Sequence, residues 1–256
     1  MRPPVLLVVA HGSRDPRHAA TVHALVRRIR SLRPGLRVET GFLDFNAPSV
    51  PQVLERLAAG GEEEDVIALP LLLTRAFHAK SDIPGVLREA SARLPRLRIR
   101  QAEVLGPSPL LLAAVERRLR EAGLGPSDHD STGLVLASAG STDPEAIAAI
   151  ADMARELRRT GWCSVRPAFA SASLPRTEEA VRALRDEGCA RVAVAPYVIA
   201  PGRLPDRIAE GAREADVLAG VLGPSPELAA LVLLRHDGAR AALLRPAGRV
   251  RLSVPA

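Results

Sequence analysis

Short apolar runs alternate with longer amphipathic segments along most of the chain. Runs typical of buried parallel strands cover residues 5–9, 37–43, 65–72 and 97–105. Apolar residues at helical spacing predict helices over residues 16–32, 49–59, 83–94 and 109–122. Strand and helix in strict alternation predict an α/β fold, in which a four-stranded parallel sheet carries helices on both faces.

The second half of the chain repeats the first. Residues 9–16 (VAHGSRDP) return as residues 137–144 (ASAGSTDP), and both halves reach an identical VLGPSP at residues 104–109 and 221–226. We therefore predict two tandem domains, 1–124 and 134–245, with a cleft between them. A polar, glycine-punctuated linker covers residues 125–133, and the tail at 246–256 shows no assignable pattern.

The repeat keeps its glycines, prolines and apolar runs but loses two imidazoles and one carboxylate. The three exchanges are His11 to Ala139, Asp44 to Ser171 and His78 to Leu204. In the first half each of these side chains follows the carboxyl end of a predicted strand, the edge at which open α/β sheets bind ligands. The scaffold is thus common to both halves, whereas the functional site is predicted in the first half alone.

Two histidines and a carboxylate at converging loops form a nitrogen and oxygen site for a divalent metal such as Fe²⁺, Co²⁺ or Ni²⁺. An imidazole also serves as a base at neutral pH. Asp44 has two alternative roles, as a helix cap or as a partner for an arginine. A structural or surface role is the more common one for any single histidine, and His11 and His78 are singled out by their joint loss from the repeat. A surface role is assigned to the other four, at His18, His23, His129 and His236.

Composition narrows the class of ligand. The formal charge of +6 comes almost entirely from arginine, because Lys80 is the only lysine, and aromatic residues make up only 2% of the chain. Without basic blocks interleaved with aromatic rings, nucleic-acid binding is not expected. Arginine pairs bidentately with carboxylates, so an acid-rich small molecule suits this surface.

The sequence gives no support for several other classes of protein. The apolar run before His11 is too short for a leader or a membrane span, so a cytoplasmic protein without membrane contact is expected. No glycine-rich nucleotide loop of either common type is present, so no ATP is needed. Cys163 and Cys189 lack a CxxC spacing and are interpreted as buried, inert thiols.

The motifs Ala10-His11-Gly12-Ser13, Phe42-Leu43-Asp44 and His78 followed by Asp82-Ile83-Pro84 resemble those of the class II chelatases of the sirohydrochlorin type, the CbiX and SirB family. The resemblance spans residues 4–244. It implies ATP-independent insertion of Fe²⁺ or Co²⁺ into sirohydrochlorin, an octacarboxylate tetrapyrrole, for siroheme or cobalamin synthesis. His11 and His78 would then bind the metal and help to remove the pyrrole protons. The family usually carries glutamate where this chain has Asp44, which is one methylene shorter.

The resemblance also implies a substrate clamp, that is, side chains around the cleft that hold the peripheral carboxylates of the tetrapyrrole. No permanent cofactor is expected. Its candidates are Ser13, Arg14, Arg75 and Lys80 from the first half and Arg203 and Arg207 from the second. A monomer is expected, because two domains in one chain replace a two-subunit site.

Three other functions remain open at this point. A metal or tetrapyrrole carrier would use the same ligands without turnover. A histidine phosphatase expects arginine immediately before the histidine, where this chain has Ala10. A degenerate structural protein is disfavoured by the intact His11 and His78.

Overall fold

The protein, described here by a computed structural model, forms two four-stranded parallel sheets that confirm the predicted fold class. The structure describes residues 3–75 and 78–244, with the backbone alone at His78 and Leu244. The first sheet has the order β2-β1-β3-β4, with β1 Val5–Ala10, β2 Val38–Phe42, β3 Glu64–Pro70 and β4 Leu97–Gln101. The second has the equivalent order β6-β5-β7-β8, with β5 Thr132–Ser138, β6 Ser164–Phe169, β7 Arg191–Tyr197 and β8 Val217–Leu218.

Helices follow the strands in both halves, as the repeat predicts. Those of the first half are α1 Pro16–Leu32, α2 Val50–Ala58, α3 Ile83–Arg93 and α4 Pro109–Glu121. Those of the second half are α5 Pro144–Arg159, α6 Thr177–Asp186, α7 Arg203–Gly211 and α8 Pro226–Leu244. A short 3₁₀ helix, Pro126–Asp128, lies in the linker. The part of the chain that the structure describes contains no helix long and apolar enough to cross a membrane.

The main local difference from the sequence prediction precedes α3. Ser81-Asp82 has the composition of a helix cap, yet residues His78–Asp82 form a π-helical turn that runs directly into α3. Asp82 is itself helical (φ −68°, ψ −53°) and makes no side-chain capping hydrogen bond. The helical segment therefore begins at His78 instead of Ile83, and the residue predicted on a loop opens a helix.

The last helix of each half packs against the other half. Helix α8 lies against α1 and β3 of the first sheet, while α4 lies against α5 and β7 of the second. One continuous apolar core consequently includes residues of both halves. In the structure, the final helix of each unit packs on the other unit. The domain bounds 1–124 and 134–245 therefore remain a prediction from the sequence. The predicted tail, 246–256, and residue 245 lie outside the described residues.

Polar contacts fix α8 on the first half. The Arg235 guanidinium donates to the carbonyl oxygens of Val104, Leu105 and Pro107 at 2.7–2.9 Å. His236, which the sequence assigned to the surface, is only 1% exposed, and its Nε2 lies 3.4 Å from the Pro4 carbonyl oxygen. That assignment is wrong because it treated α8 as an outer helix, whereas α8 is sandwiched against the first sheet.

Candidate functional site

The loop that carries His11 is held rigidly against the loop after β2. The Asp44 N–H donates to the His11 carbonyl at 2.9 Å, and the Ser13 N–H donates to Asn46 Oδ1 at 2.8 Å. Between them Gly12 adopts a φ of +94°, and a β-carbon there would lie 1.9 Å from the Asp44 carbonyl oxygen. Only glycine fits this crossing, so the His-Gly sequence reflects the close approach of two backbones.

The same backbone arrangement recurs in the second half without the imidazole. The Ser171 N–H donates to the Ala139 carbonyl at 3.0 Å, and Gly140 has a φ of +97° with its virtual β-carbon 1.9 Å from the Ser171 oxygen. Asp15 and Asp143 cap the following helices in the same way, each accepting the backbone N–H two residues on. The duplication therefore preserves the geometry of this loop, and at this loop the two halves differ in their side chains.

The carboxyl ends of both sheets face each other across a cavity of about 500 Å³, a volume typical of small-molecule sites. His11 and Ser13 line it from the first half, together with the apolar stretch Leu71–Leu73. Its second wall comes from the duplicated half, and is lined by Ile147, Ile150, Tyr197, Val198, Ile199 and Leu204. The imidazoles of His11 and His18 thus stand at the edge of a largely apolar cleft between the halves.

A second cavity, of about 660 Å³, adjoins the first at His11 and Ser13. It brings together four of the predicted clamp residues, since Ser13, Arg14, Arg203 and Arg207 all line it. The guanidinium of Arg14 stacks over the Phe45 ring at 5.3 Å from its centroid. Arginines from both halves therefore converge beside the imidazole.

Acidic residues at the second cavity are partly neutralised by a further arginine. Arg17 Nη2 lies 2.6 Å from Asp15 Oδ2 and 2.7 Å from Asp206 Oδ2, which joins the two halves across the cavity rim. Hydrogen bonds from Arg17 lower the pKa of Asp15, and those of both carboxylates raise the pKa of Arg17. This pairing leaves Arg14, Arg203 and Arg207 facing Glu210 as the remaining acidic residue of the lining.

His18 was predicted to lie on the surface, and this prediction is wrong. It lines the cleft cavity with His11, and its Nδ1 is buried without a hydrogen-bond partner among the described residues. Burial, and then the nearby His11, lower the pKa of His18. The missed signal is its position in the first turn of α1, three residues after the Asp15 cap, which directs it towards the sheet edge that carries His11.

His129 also differs from its surface assignment. Its ring stacks on Trp162 at 4.0 Å, and the Trp162 indole N–H donates to Glu116 Oε1 of α4 at 3.0 Å. The linker histidine is thus part of the packing between the halves. Only His23, whose edge meets the Phe42 ring, is exposed as predicted.

Three other site candidates, Asp44, Lys80 and Arg75, lie outside both cavities. The exposed Asp44 carboxylate accepts the Phe45 N–H at 3.0 Å and lines neither cavity. Lys80 Nζ lies 2.7 Å from both Asp143 and Glu145 at the start of α5, so it bridges the halves instead of facing the arginines. Arg75 is exposed and lines neither cavity.

The metal site itself is only partly described. His78 opens the π-helical turn after β3, but its side chain lies outside the described part of the structure. Among the described side chains, no group of three histidine, cysteine, aspartate or glutamate residues is placed to hold a metal ion. His11 Nδ1 lies 3.2 Å from the Gly12 carbonyl oxygen.

The fold and the cleft define a duplicated α/β protein with a cavity between two parallel-sheet units. The CbiX family model matches residues 5–122 and 133–239, so the chain belongs to the CbiX family, as its motifs predicted.

Related proteins extend over most of the chain. A sirohydrochlorin cobaltochelatase of Priestia megaterium is 27% identical over 242 residues, covering 91% of this chain and 78% of that protein. A sirohydrochlorin ferrochelatase of Bacillus subtilis is 26% identical over 206 residues, covering 79% and 77%. The structure of SirB from Bacillus subtilis with Fe³⁺ has a TM-score of 0.80 at 24% identity, covering 94% of this chain and 97% of that one. This structural likeness establishes the shared fold.

Proposed function

We propose that this protein is a sirohydrochlorin chelatase, which inserts Fe²⁺ or Co²⁺ into a polycarboxylate tetrapyrrole without ATP. Membership of the CbiX family and the names of the curated relatives support this activity. The observation that carries the proposal is the convergence of His11 with Arg14, Arg203 and Arg207 at two adjoining cavities. Imidazole suits a first-row metal, and arginine suits carboxylates.

The two cavities divide the substrate between them. The largely apolar cleft accepts the flat macrocycle, with Leu71–Leu73 on one side and residues of the duplicated half on the other. Arg14, Arg203 and Arg207 pair with peripheral carboxylates at the second cavity, with Ser13 at the junction. Because the arginines come from both halves, a bound polycarboxylate bridges the units and orients the ring over His11.

Metal insertion replaces two pyrrole protons by one divalent cation. With a proton on Nδ1 directed at the Gly12 carbonyl, His11 presents Nε2 to the metal. His78 is proposed as the second metal ligand, with Asp44 as an electrostatic support. Imidazoles at the cleft accept the released protons. Burial lowers the pKa of His18, so this ring is neutral before the reaction and passes a proton on instead of retaining it.

Two of the predicted clamp residues have more distant proposed roles. Lys80 holds the halves together through Asp143 and Glu145, so we propose that it sets the width of the cleft. Arg75 is proposed as an outer contact for carboxylates that extend beyond the second cavity. We further propose a cytoplasmic monomer, since one chain supplies both walls of the cleft; light scattering at micromolar concentration tests its mass.

Visible spectroscopy under anaerobic conditions tests the activity. Sirohydrochlorin is mixed with Fe²⁺, Co²⁺ or Ni²⁺ and substoichiometric protein, and the wild type is compared with His11→Ala and His78→Ala. We expect multiple turnovers by the wild type and strong slowing in both variants. His23→Ala is the matched control, because it removes an exposed imidazole from α1 and lines neither cavity.

The outcomes separate the remaining functions. Metal insertion no faster than the uncatalysed reaction, with all three metals, would overturn the chelatase proposal. If the protein then bound one equivalent of tetrapyrrole or metal and stopped, a carrier function would replace it. The relative rates with the three metals would rank them as substrates.

A further inference from the structure

The two cysteines of the chain lie next to each other in the structure, although 26 positions separate them in sequence. Cys163 immediately precedes β6 and Cys189 lies just before β7, and their sulfur atoms are 3.4 Å apart. Strands β6 and β7 are not neighbours, because both flank the central strand β5. The thiols therefore meet across a strand that should separate them.

The residue of β5 between the thiols is Gly133. It pairs with Ser164 of β6 on one side and with Val192 of β7 on the other. A β-carbon on Gly133 would lie 2.8 Å from Cys189 Sγ and 3.2 Å from Cys189 Cβ. Any larger residue would thus displace the Cys189 side chain, and the absence of a side chain at Gly133 lets the Cys189 sulfur lie 3.4 Å from that of Cys163.

The internal repeat shows that this arrangement is specific to the second half. At the equivalent positions of the first half stand ordinary strand and loop residues. The three exchanges are Val5 to Gly133, Leu36 to Cys163 and Glu63 to Cys189. The two thiols and the glycine that lets them meet therefore occur together, in the half that has lost His11 and Asp44.

We propose that Cys163 and Cys189 form a reversible disulfide by exchange with a low-molecular-weight disulfide such as oxidised glutathione. Cys163 attacks one sulfur of the external disulfide, whose S–S bond breaks, and one external thiol leaves with the Cys163 proton. Cys189 then attacks the Cys163 sulfur of the mixed disulfide, and the second external thiol leaves with the Cys189 proton. Two protein thiols are oxidised, and one external disulfide is reduced to two thiols.

The environment of the two thiols supports a first attack by Cys163 and a second by Cys189. Burial, together with the adjacent Cys163 thiol, raises the pKa of Cys189 to about 11, so its thiolate is scarce at neutral pH. Both thiols are partly exposed, so the prediction that they are buried is wrong. The scarce Cys189 thiolate assigns the first attack to Cys163, after which Cys189 resolves the mixed disulfide at short range. The sulfurs need to approach from 3.4 Å to a bonded distance of about 2.05 Å.

The bond would fasten β6 and β7 at their amino ends, opposite the edge that forms the cleft. Cys163 also follows Trp162, whose indole binds Glu116 of the first half. We therefore expect the disulfide to raise the melting temperature by about 5 °C and to leave the cleft unchanged.

Equilibration of the full chain in glutathione buffers, followed by alkylation and intact mass spectrometry, tests the proposal. In the folded protein we expect one intramolecular disulfide, with an effective thiol concentration about 100-fold higher than in denaturant. Equal effective concentrations in the folded and denatured chain would overturn the proposal. Because no tetrapyrrole takes part, this outcome is independent of the proposed chelatase activity.

Two variants define the geometry. Cys189→Ser removes the resolving thiol, so a glutathione adduct should persist on Cys163, whereas the wild type should pass through it without accumulation. Equal accumulation in both would contradict the proposal. Gly133→Ala should block closure of the disulfide while both thiols stay present. If this variant does not fold, accumulation of the adduct in Cys189→Ser relative to the wild type still tests the proposal.

Discussion

A β-carbon added to Gly12 would lie 1.9 Å from the carbonyl oxygen of Asp44, closer than any non-bonded contact allows. The loop that carries His11 is thereby fixed to the loop after β2 through backbone contacts alone. Gly140 and Ser171 show the same distance in the second half. The fixed loop position is thus independent of the imidazole that the loop carries, and it belongs to the duplicated scaffold.

Gly12→Ala should therefore displace His11 as well as destabilise the fold. We expect a loss of about 2 kcal/mol in the free energy of unfolding, because both the positive φ and the contact with Asp44 are unfavourable. Gly140→Ala is the matched control, with the same backbone strain but no imidazole. Denaturant unfolding should give similar losses for both, while the insertion rate per folded molecule should fall further in Gly12→Ala. Equal rates would contradict a positioning role.

The arginines of the second cavity should act on substrate binding. Replacing Arg203 or Arg207 by Gln removes a charge that faces the cavity from the duplicated half. We expect KM for the tetrapyrrole to rise about tenfold with little change in kcat, because the contact exists before and during metal insertion. Arg182→Gln, an exposed arginine on α6, should leave KM unchanged. Unaltered KM in both cavity variants would exclude a clamp by these residues.

Helices α4 and α8 show how much of the fold could be predicted from the sequence. The apolar pattern predicted α4, and the repeat predicted an equivalent last helix and four parallel strands in the second half, since period and repeat are local properties. They did not predict that α8 covers the first sheet, because both sheets present similar apolar faces and the choice between them is made by packing. The burial of His236 follows from that choice, and so the sequence missed it.

The sequence likewise predicted some residues of the candidate site and not others. The exchange of His11 in the repeat singled out a residue that lines the cleft cavity, and charge type singled out Arg14, Arg203 and Arg207, which line the second cavity. The sequence could not show that Lys80 would be bound by Asp143 and Glu145, since these lie some sixty residues further along the chain. The place of His18 in the first turn of α1 directs it towards the edge of the sheet, but the cleft that it lines is completed by the other half, which the helical position alone does not show.

His18 should make the stability of the protein depend on pH. Its folded-state pKa is lowered by burial and by His11, so the unfolded chain binds a proton more readily. Stability should be complete above the unfolded pKa of about 6.5 and should fall as the pH drops below it. Urea midpoints between pH 7.5 and 5.5 should show a smaller loss for His18→Gln than for the wild type. His23→Gln should retain the full dependence, and identical curves for the wild type and His18→Gln would contradict this origin.

Arg235 should contribute strongly to the attachment of α8. Its guanidinium donates to three carbonyl oxygens of the first half, at Val104, Leu105 and Pro107. Because Val104 and Leu105 are buried, Arg235→Ala would leave their carbonyl groups without these donors, at a cost of about 2 kcal/mol.

Arg240→Ala provides the control, since Arg240 lies exposed on the same helix. Chemical unfolding should show a lower midpoint for Arg235→Ala alone. Protection of α8 amides from hydrogen exchange should fall with it, because the helix loses its anchor on the first half. Because α8 is also packed on β3, whose carboxyl end leads to the cleft, metal insertion should slow only at denaturant concentrations that release the helix. Equal midpoints for the two variants would show that apolar packing, and not Arg235, holds α8 in place.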